Sequence, residues 1–139
     1  SMPLDELVVH NTRQWLARGR DDLDLAENAV REGTRPFTRD AVFHCQQAAE
    51  KALKAFLTWH DLPFPRVHDL EDIGARCVQA DASLQGLVDR VAQLSQYAWR
   101  FRYPGDPYEP TPEEVRQAPQ LAGETFEAIV NRLPAEVHL

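Results

Sequence analysis

The stretch RFRYPGD at residues 100–106 holds the densest group of side chains that could contact a phosphate. Arg102 stands beside Tyr103 and just before a Gly-containing turn, so its guanidinium could offer a planar pair of N–H donors to a phosphate or a carboxylate. A purely structural role is also open, above all for Arg100, because arginines in a last helical turn satisfy free carbonyls and the negative end of the helix. The stretch is the first candidate for binding a nucleotide or an acidic partner.

A second polar group recurs at steps of three and four along residues 40–60. It consists of His44, Gln47, Lys51, Lys54 and Thr58. The side chains that could line a polar groove near Arg102 are Gln46, Gln47, Glu50, Lys51 and Lys54. The alternative is a solvated face, on which Glu50 pairs with Lys54 at i,i+4 for about a few tenths of a kcal/mol.

The spacing of histidines and cysteines does not match a metal site. His60 and His68 are separated by a Pro-rich link, and no His-x-x-x-His or Cys-x-x-Cys pattern occurs. We therefore predict no metal and no cofactor, and we expect His68 to orient the loop before Asp69, the cap of a following helix. Two acidic pairs are interpreted as helix-start charges rather than catalytic dyads: Glu71 with Asp72, and Glu113 with Glu114.

Length and composition predict one globular domain. The 139 residues are 43% hydrophobic and 27% charged, which is typical of a chain with its own core. We assign residues 3–133 to this domain and residues 134–139 to a C-terminal tail. Since no apolar run approaches about 18 residues and no basic-then-apolar signal pattern is present, we expect a cytoplasmic protein without a membrane span.

The net charge argues against one class of binding partner, and the placement of the two cysteines indicates their structural role. The formal net charge is −7, from 22 acidic and 15 basic residues, and this argues against broad binding to duplex DNA or RNA, which needs many Lys and Arg. Cys45 and Cys77 both fall inside predicted helices, the usual place of small buried hydrophobes. A disulfide between them stays open at this point.

Helices must position these side chains, because the hydrophobic pattern predicts no strand. The predicted helices cover about residues 7–31, 40–60, 70–79, 83–103 and 112–133. Residues 40–60 are expected at the centre, since small and apolar side chains recur there at steps of three and four. The predicted fold class is all-α, an up-down four-helix bundle with one additional short helix.

Several local features refine this bundle. In the first helix we expect Asp22 to face water with its acidic neighbours, and Gly19 to cause a bend or fraying. The fourth helix is predicted to run unbroken through almost five turns. Thr111 is predicted to cap the last helix, while Pro119 should kink it or delay its start.

Two runs in the chain resemble a known family. The run FHCQQAAEKALKAFL at residues 43–57, followed by VHDL, resembles the second helix of the HEPN domain, the "higher eukaryote and prokaryote nucleotide-binding" family. RYPGD and the helix opening TPEEV are similar to the corresponding segment of many small prokaryotic HEPN proteins. The resemblance covers about residues 43–130 and implies a HEPN-like helical bundle.

The same resemblance bears on enzyme activity. Ribonuclease branches of the family carry an Arg followed, after four to six residues, by a His at the start of the last helix, and these residues meet their copies across a dimer. Counted from Arg102, that gap leads to Pro107, Tyr108 and Glu109 rather than to a His. The missing imidazole argues against the usual acid–base chemistry at neutral pH.

The resemblance also implies partners. Prokaryotic HEPN proteins are often paired with minimal nucleotidyltransferases, in some cases as toxin and antitoxin. Our main interpretation is therefore a homodimeric, nucleotide-associated interaction module with such a partner. The residues that would bind the nucleotide or the partner are Arg100, Arg102 and Tyr103, together with Gln47, Glu50, Lys51 and Lys54 of the central helix.

Two other functions stay open. One is a metal-independent ribonuclease toxin in which Arg102 works with Asp106, Tyr108 or His44 as a non-standard acid or base. Within this reading, Arg39 and His44 also have a four-residue gap, in RDAVFH, although they lie at the start of the central helix. The other is a domain that binds a free nucleotide.

Overall fold

The computed structural model describes residues 4–32, 37–100 and 104–139. Within these ranges it is an all-α bundle without strands, which confirms the predicted fold class. The α-helices are α1 (Leu4–Glu32), α2 (Phe37–Trp59), α3 (Leu70–Ala80), α4 (Gln85–Val91) and α5 (Pro112–Asn131). Short 3₁₀ segments cover Ala82–Leu84, Ala92–Ala98 and Ala135–Val137. None of the described helices is both long and apolar enough to cross a bilayer.

The helix α2 lies at the centre, as predicted. It packs along α1 and also contacts α5 and α3. Small side chains such as Ala48 and Ala52 are fully buried on it, so neighbouring backbones approach closely. Opposite Ala48, α1 carries Gly19, where an added Cβ would lie 3.3 Å from Phe126 and 3.4 Å from the Ala48 carbonyl oxygen. The fraying expected at Gly19 is wrong, because α1 continues through it and uses the missing side chain for close packing.

The predicted fourth helix is not continuous, which corrects the expectation for residues 83–103. Within its described part, residues 83–100, only the seven residues of α4 are α-helical, and 3₁₀ turns lie on either side. Residues 101–103 lie outside the described residues. Val91, Leu94 and Tyr97 are all buried at steps of three. A 3₁₀ helix has about three residues per turn and places such residues above one another, whereas an α-helix would rotate them apart. Burial of these three side chains therefore favours the tighter winding.

The start of α5 agrees with the sequence. The Thr111 hydroxyl accepts a hydrogen bond from the Glu114 N–H at 3.1 Å, and the Glu114 carboxylate accepts one from the Thr111 N–H at 2.9 Å. This capping box confirms Thr111 as the cap. The helix begins at Pro112 and runs through Pro119, so the delayed start allowed for Pro119 is wrong.

The last residues pack against the bundle. Val137 is fully buried in a 3₁₀ turn. The Arg13 guanidinium of α1 donates to the His138 carbonyl oxygen at 2.7 Å, and His138 Nε2 lies 2.8 Å from the Val130 carbonyl oxygen. Residues 134–139 are therefore anchored to α1 and α5.

Both cysteines are buried free thiols. Cys77 Sγ donates to the Leu53 carbonyl oxygen at 3.5 Å. Burial raises the pKa of the Cys45 and Cys77 thiols to about 12, so both stay protonated and act as core side chains.

Candidate functional site

Most of the predicted polar residues that the structure describes lie in three clusters, which also include polar residues that were not predicted. The Glu50 cluster consists of Gln46, Glu50, Lys54 and His68; the Asp22 cluster consists of Asp22, His44 and Lys51; the Arg100 cluster consists of Tyr97, Arg100, Tyr108 and Glu114. Arg102 and Tyr103 lie outside the described residues. The polar groove predicted near Arg102 is thus divided between two clusters of α2.

The Glu50 cluster surrounds a buried carboxylate. The Glu50 side chain is 2% exposed. Its oxygens accept hydrogen bonds from Gln46 Nε2 and Lys54 Nζ at 3.0 Å each, and His68 Nδ1 lies 3.0 Å from both oxygens. Gln47 Nε2 adds an outer contact by donating to the Gln46 amide oxygen at 2.6 Å. A buried carboxylate is tolerated only with such compensation, so this cluster is built to hold one negative charge inside the bundle.

Lys54 is the main correction on the polar stripe. The solvated face considered for it is wrong, because Lys54 is buried. Its ammonium lies 5.3 Å from the Trp15 ring centroid and 5.7 Å from the Phe64 ring centroid. The predicted i,i+4 pair with Glu50 does form, but inside the protein rather than on its surface. The sequence contained a signal for the burial of this pair. Glu50 lies three residues before the apolar Leu53, and residues three apart share one face of a helix.

His68 orients the loop before α3, as predicted, although its partner was not foreseen. The Asp69 carboxylate caps α3 by accepting from the Glu71 N–H at 2.9 Å. Directly before it, the imidazole of His68 reaches back to Glu50 on α2. The pair ties the α2–α3 link to the centre of the bundle.

The sequence did not predict the Asp22 cluster, because the pattern of α1 indicated that Asp22 faces water. Asp22 is only 7% exposed. One of its carboxylate oxygens lies 2.9 Å from His44 Nδ1 and the other accepts from Lys51 Nζ. Burial alone would raise the pKa of Asp22, but the bonds from His44 and Lys51 outweigh it and lower the pKa below its ordinary value. Position offered a signal, because Asp22 follows Trp15 by two helical turns and so shares its face.

Arg39 and His44 each have a partner of their own. The Arg39 guanidinium pairs with the Glu109 carboxylate, next to the start of α5, and this bond raises the pKa of Arg39. His44 instead points to Asp22 on α1. The two residues of RDAVFH therefore contact different carboxylates, Glu109 and Asp22, rather than each other.

The Arg100 cluster lies where the end of the 3₁₀ segment Ala92–Ala98 approaches the start of α5. The Arg100 guanidinium carbon lies 3.9 Å from the Tyr108 ring centroid and 5.3 Å from that of Trp99. Arg100 Nε also donates to the Gln96 amide oxygen at 3.0 Å. These are cation–π contacts, and they hold the guanidinium close to both aromatic rings.

Two tyrosines of the same cluster share one carboxylate. Tyr97 donates to Glu114 Oε2 at 2.7 Å, and the Tyr108 hydroxyl donates to the same oxygen. Burial, followed by the bond to Glu114, raises the pKa of both tyrosines, while the donors around Glu114 lower its pKa against the opposing effect of burial. Asp106 accepts from the Tyr108 N–H at 3.0 Å and shapes the loop. At neutral pH the two tyrosines therefore keep their protons, and the Glu114 carboxylate that accepts them is ionised.

The family model of the HEPN domain matches residues 12–133, nearly the whole bundle. The chain belongs to the HEPN domain family. This confirms the resemblance seen in the second helix and in RYPGD. No curated protein and no solved structure gave a significant match. HEPN membership indicates a helical module related to nucleotides or RNA.

The histidines of this HEPN domain contact groups outside the Arg100 cluster. His44 and His68 contact Asp22 and Glu50, and the His60 ring lies 4.4 Å from that of Phe56. His138 reaches backbone carbonyls, and His10 lies exposed near the start of α1. Within the described residues, no imidazole contacts Arg100 or its stacking partners. No three His, Cys, Asp or Glu side chains there form a metal site either.

Proposed function

We propose that this HEPN protein is a dimeric, nucleotide-associated interaction module that works with a minimal nucleotidyltransferase, as in a toxin–antitoxin-like pair, rather than a ribonuclease. One observation carries the proposal. In the part of the chain that the structure describes, none of the five histidines contacts the Arg100 cluster at the start of the last helix.

Metal-independent RNA cleavage requires a group that takes up and releases a proton near neutral pH. In the Arg100 cluster the pKa of Tyr108 is raised, so its hydroxyl keeps its proton. The pKa of Glu114 is lowered, so its carboxylate stays ionised while it accepts from two tyrosines. Since neither group changes protonation state readily, the cluster favours binding over acid–base catalysis.

An interface role for the same region is supported by Trp99. Its side chain is 54% exposed and stacks beside the Arg100 guanidinium. Trp and Arg are enriched among the residues that dominate binding energy in protein interfaces. The nucleotidyltransferase as partner and the homodimer both follow from the family resemblance.

The assembly can be tested by light scattering on the purified protein, alone and mixed with a minimal nucleotidyltransferase encoded beside it. We expect a dimer alone and a stable complex in the mixture. Trp99→Ala should weaken the complex, whereas Leu25→Ala, which removes an exposed apolar side chain of α1, should not. A strict monomer in both samples would overturn the proposal.

The absence of ribonuclease activity is tested separately. Purified protein should leave single-stranded RNA intact from acid to alkaline pH. Cleavage that disappears in Arg102→Ala, with the circular dichroism spectrum unchanged, would instead establish the ribonuclease function.

A further inference from the structure

The Asp22 cluster is partly exposed to solvent through the side chains of His44 and Lys51. Asp22 is buried between α1 and α2, while the side chains of His44 and Lys51 are still 28% and 21% exposed. Each occupies a different oxygen of the same carboxylate, so the carboxylate holds the two side chains next to each other. Both come from α2, seven residues apart, and thus from one face of a rigid helix.

The second ring nitrogen of His44, Nε2, makes no hydrogen bond to any residue that the structure describes. Nδ1 contacts Asp22, which fixes the ring orientation and directs Nε2 away from the carboxylate. Among the described residues no group hydrogen-bonds to Nε2, and Nε2 is not a buried unsatisfied atom. Lys51 Nζ donates one of its three N–H groups to Asp22, and the other two make no hydrogen bond to the described residues.

These atoms match a phosphate group. An imidazolium Nε2–H donates to a phosphate oxygen, and a neutral Nε2 accepts from a singly protonated phosphate, so either proton arrangement gives a bond. Lys51 supplies a charge-assisted donor at the same place. Asp22 neutralises only one of the two cations when His44 is protonated, which leaves a local charge suited to a single phosphate.

The small number of cations at the Asp22 cluster favours a ligand with one phosphate group over a nucleic-acid backbone. The chain carries a net charge of −7 and its only lysines are Lys51 and Lys54. Lys54 is buried against Glu50 and serves the interior. A backbone-binding surface needs several cations in a row, and the Asp22 cluster offers two.

We propose that His44 and Lys51, positioned by Asp22, form a binding site for the phosphate of a nucleoside monophosphate. Asp22 is a positioning residue, and the two α2 side chains contact the phosphate. The inference rests on the nucleotide-associated part of the proposed function, and it is independent of dimerisation and of the protein partner.

Calorimetric titration with AMP, with adenosine and with inorganic phosphate tests the site. We expect AMP to bind and adenosine to bind at least about tenfold more weakly. His44→Gln and Lys51→Gln should each weaken AMP binding about fivefold to tenfold. The controls His60→Gln and Arg31→Gln change exposed side chains of the same charge types and should leave the affinity unchanged.

A second measurement uses the wild-type protein and therefore does not depend on whether a variant folds. The chain has two lysines, so acylation followed by mass spectrometry reports on Lys51 separately from the buried Lys54. AMP should protect Lys51 of the wild-type protein from acylation, and adenosine should not.

The possible results distinguish failure of this phosphate site from failure of the proposed nucleotide-associated function. AMP binding that survives both α2 substitutions would overturn this site while nucleotide association stands. No binding of AMP or phosphate, with Lys51 unprotected, would reduce the Asp22 cluster to a structural ion pair and overturn the inference. Equal affinity for AMP and inorganic phosphate would support the site and identify free phosphate as its ligand. The light-scattering test of the partner complex is unaffected by any of these results.

Discussion

His68 Nδ1 lies 3.0 Å from both carboxylate oxygens of Glu50, although the two residues are 18 positions apart. The Glu50 side chain is 2% exposed and the His68 side chain is 47% exposed. The imidazole therefore covers a buried charge from the solvent side and ties the α2–α3 link to the central helix. Lys54 compensates the same carboxylate from within α2.

Glu50→Gln should lower the free energy of unfolding by about 3–5 kcal/mol, because it leaves the Lys54 ammonium buried without its anion. Urea denaturation followed by circular dichroism measures this. The control Glu124→Gln removes an exposed carboxylate 3.9 Å from Arg90 and should change stability by less than about 0.5 kcal/mol. Equal effects of the two substitutions would show that the Glu50 cluster does not stabilise the fold.

Asp22 should make the protein sensitive to acid. Its folded-state pKa is lowered, so its stabilising contribution is present above the unfolded pKa and is lost as the pH falls through the folded value. The free energy of unfolding should thus decrease below about pH 4. Asp22→Asn should reduce this slope and cost about 1–3 kcal/mol at neutral pH.

The matched control for acid sensitivity is Asp24→Asn, since Asp24 is exposed and pairs with Arg20 only at 3.9 Å. It should keep the wild-type slope between acid and neutral pH. An Asp22→Asn protein with an unchanged slope would contradict the assigned cause.

Gly74 should tolerate no side chain. A Cβ there would lie 2.6 Å from Val88 Cγ1, where α3 packs against α4. Gly74→Ala is expected to destabilise by about 1–3 kcal/mol through overpacking, and adding Val88→Ala should recover part of the loss. Thermal unfolding of the single and double variants measures both effects.

Gly86 provides the opposite control within α4. The nearest atom to its added Cβ is the end of the Arg90 side chain at 3.7 Å. Gly86→Ala should be neutral or stabilising by up to about 1 kcal/mol, because it relieves the helix cost of glycine. Destabilisation by both glycine substitutions alike would count against packing as the reason at Gly74.

Thr111→Ala should cost about 0.5–2 kcal/mol through loss of the α5 cap, and Thr111→Ser should retain most of the stability. The alanine variant also loses the hydroxyl partner of the Glu114 N–H, which helps place the carboxylate shared by Tyr97 and Tyr108. Chemical denaturation gives the stability. If alanine and serine behaved alike, the hydroxyl would have no capping role.

Local signals located most of the helices. The spacing of small and apolar residues identified α2 as the central helix, and the caps Asp69 and Thr111 marked where α3 and α5 begin. Each of these signals depends on residues that lie close together in the sequence, so it can be recognised without the tertiary structure. The start of α5 at Pro112 is a case in point, because the hydroxyl, the proline and the acidic residues all act within one turn.

Long-range pairs could not be derived in the same way. Asp22 and Lys51 are 29 positions apart, and only the packing of α1 on α2 turns a presumed surface acid into a buried anchor. The winding of residues 92–98 was decided likewise, since the burial of Leu94 and Tyr97 outweighed the local preference for an α-helix.

The sequence by itself determined the all-α class, the central place of α2 and the family, because periodicity, capping and the runs in residues 43–57 are local properties. Only the tertiary structure decided which charges are buried and what they contact. A carboxylate such as Asp22 is tolerated inside the bundle only when groups from a distant part of the chain, here His44 and Lys51, reach it, and these contacts exist only once α1 and α2 have packed.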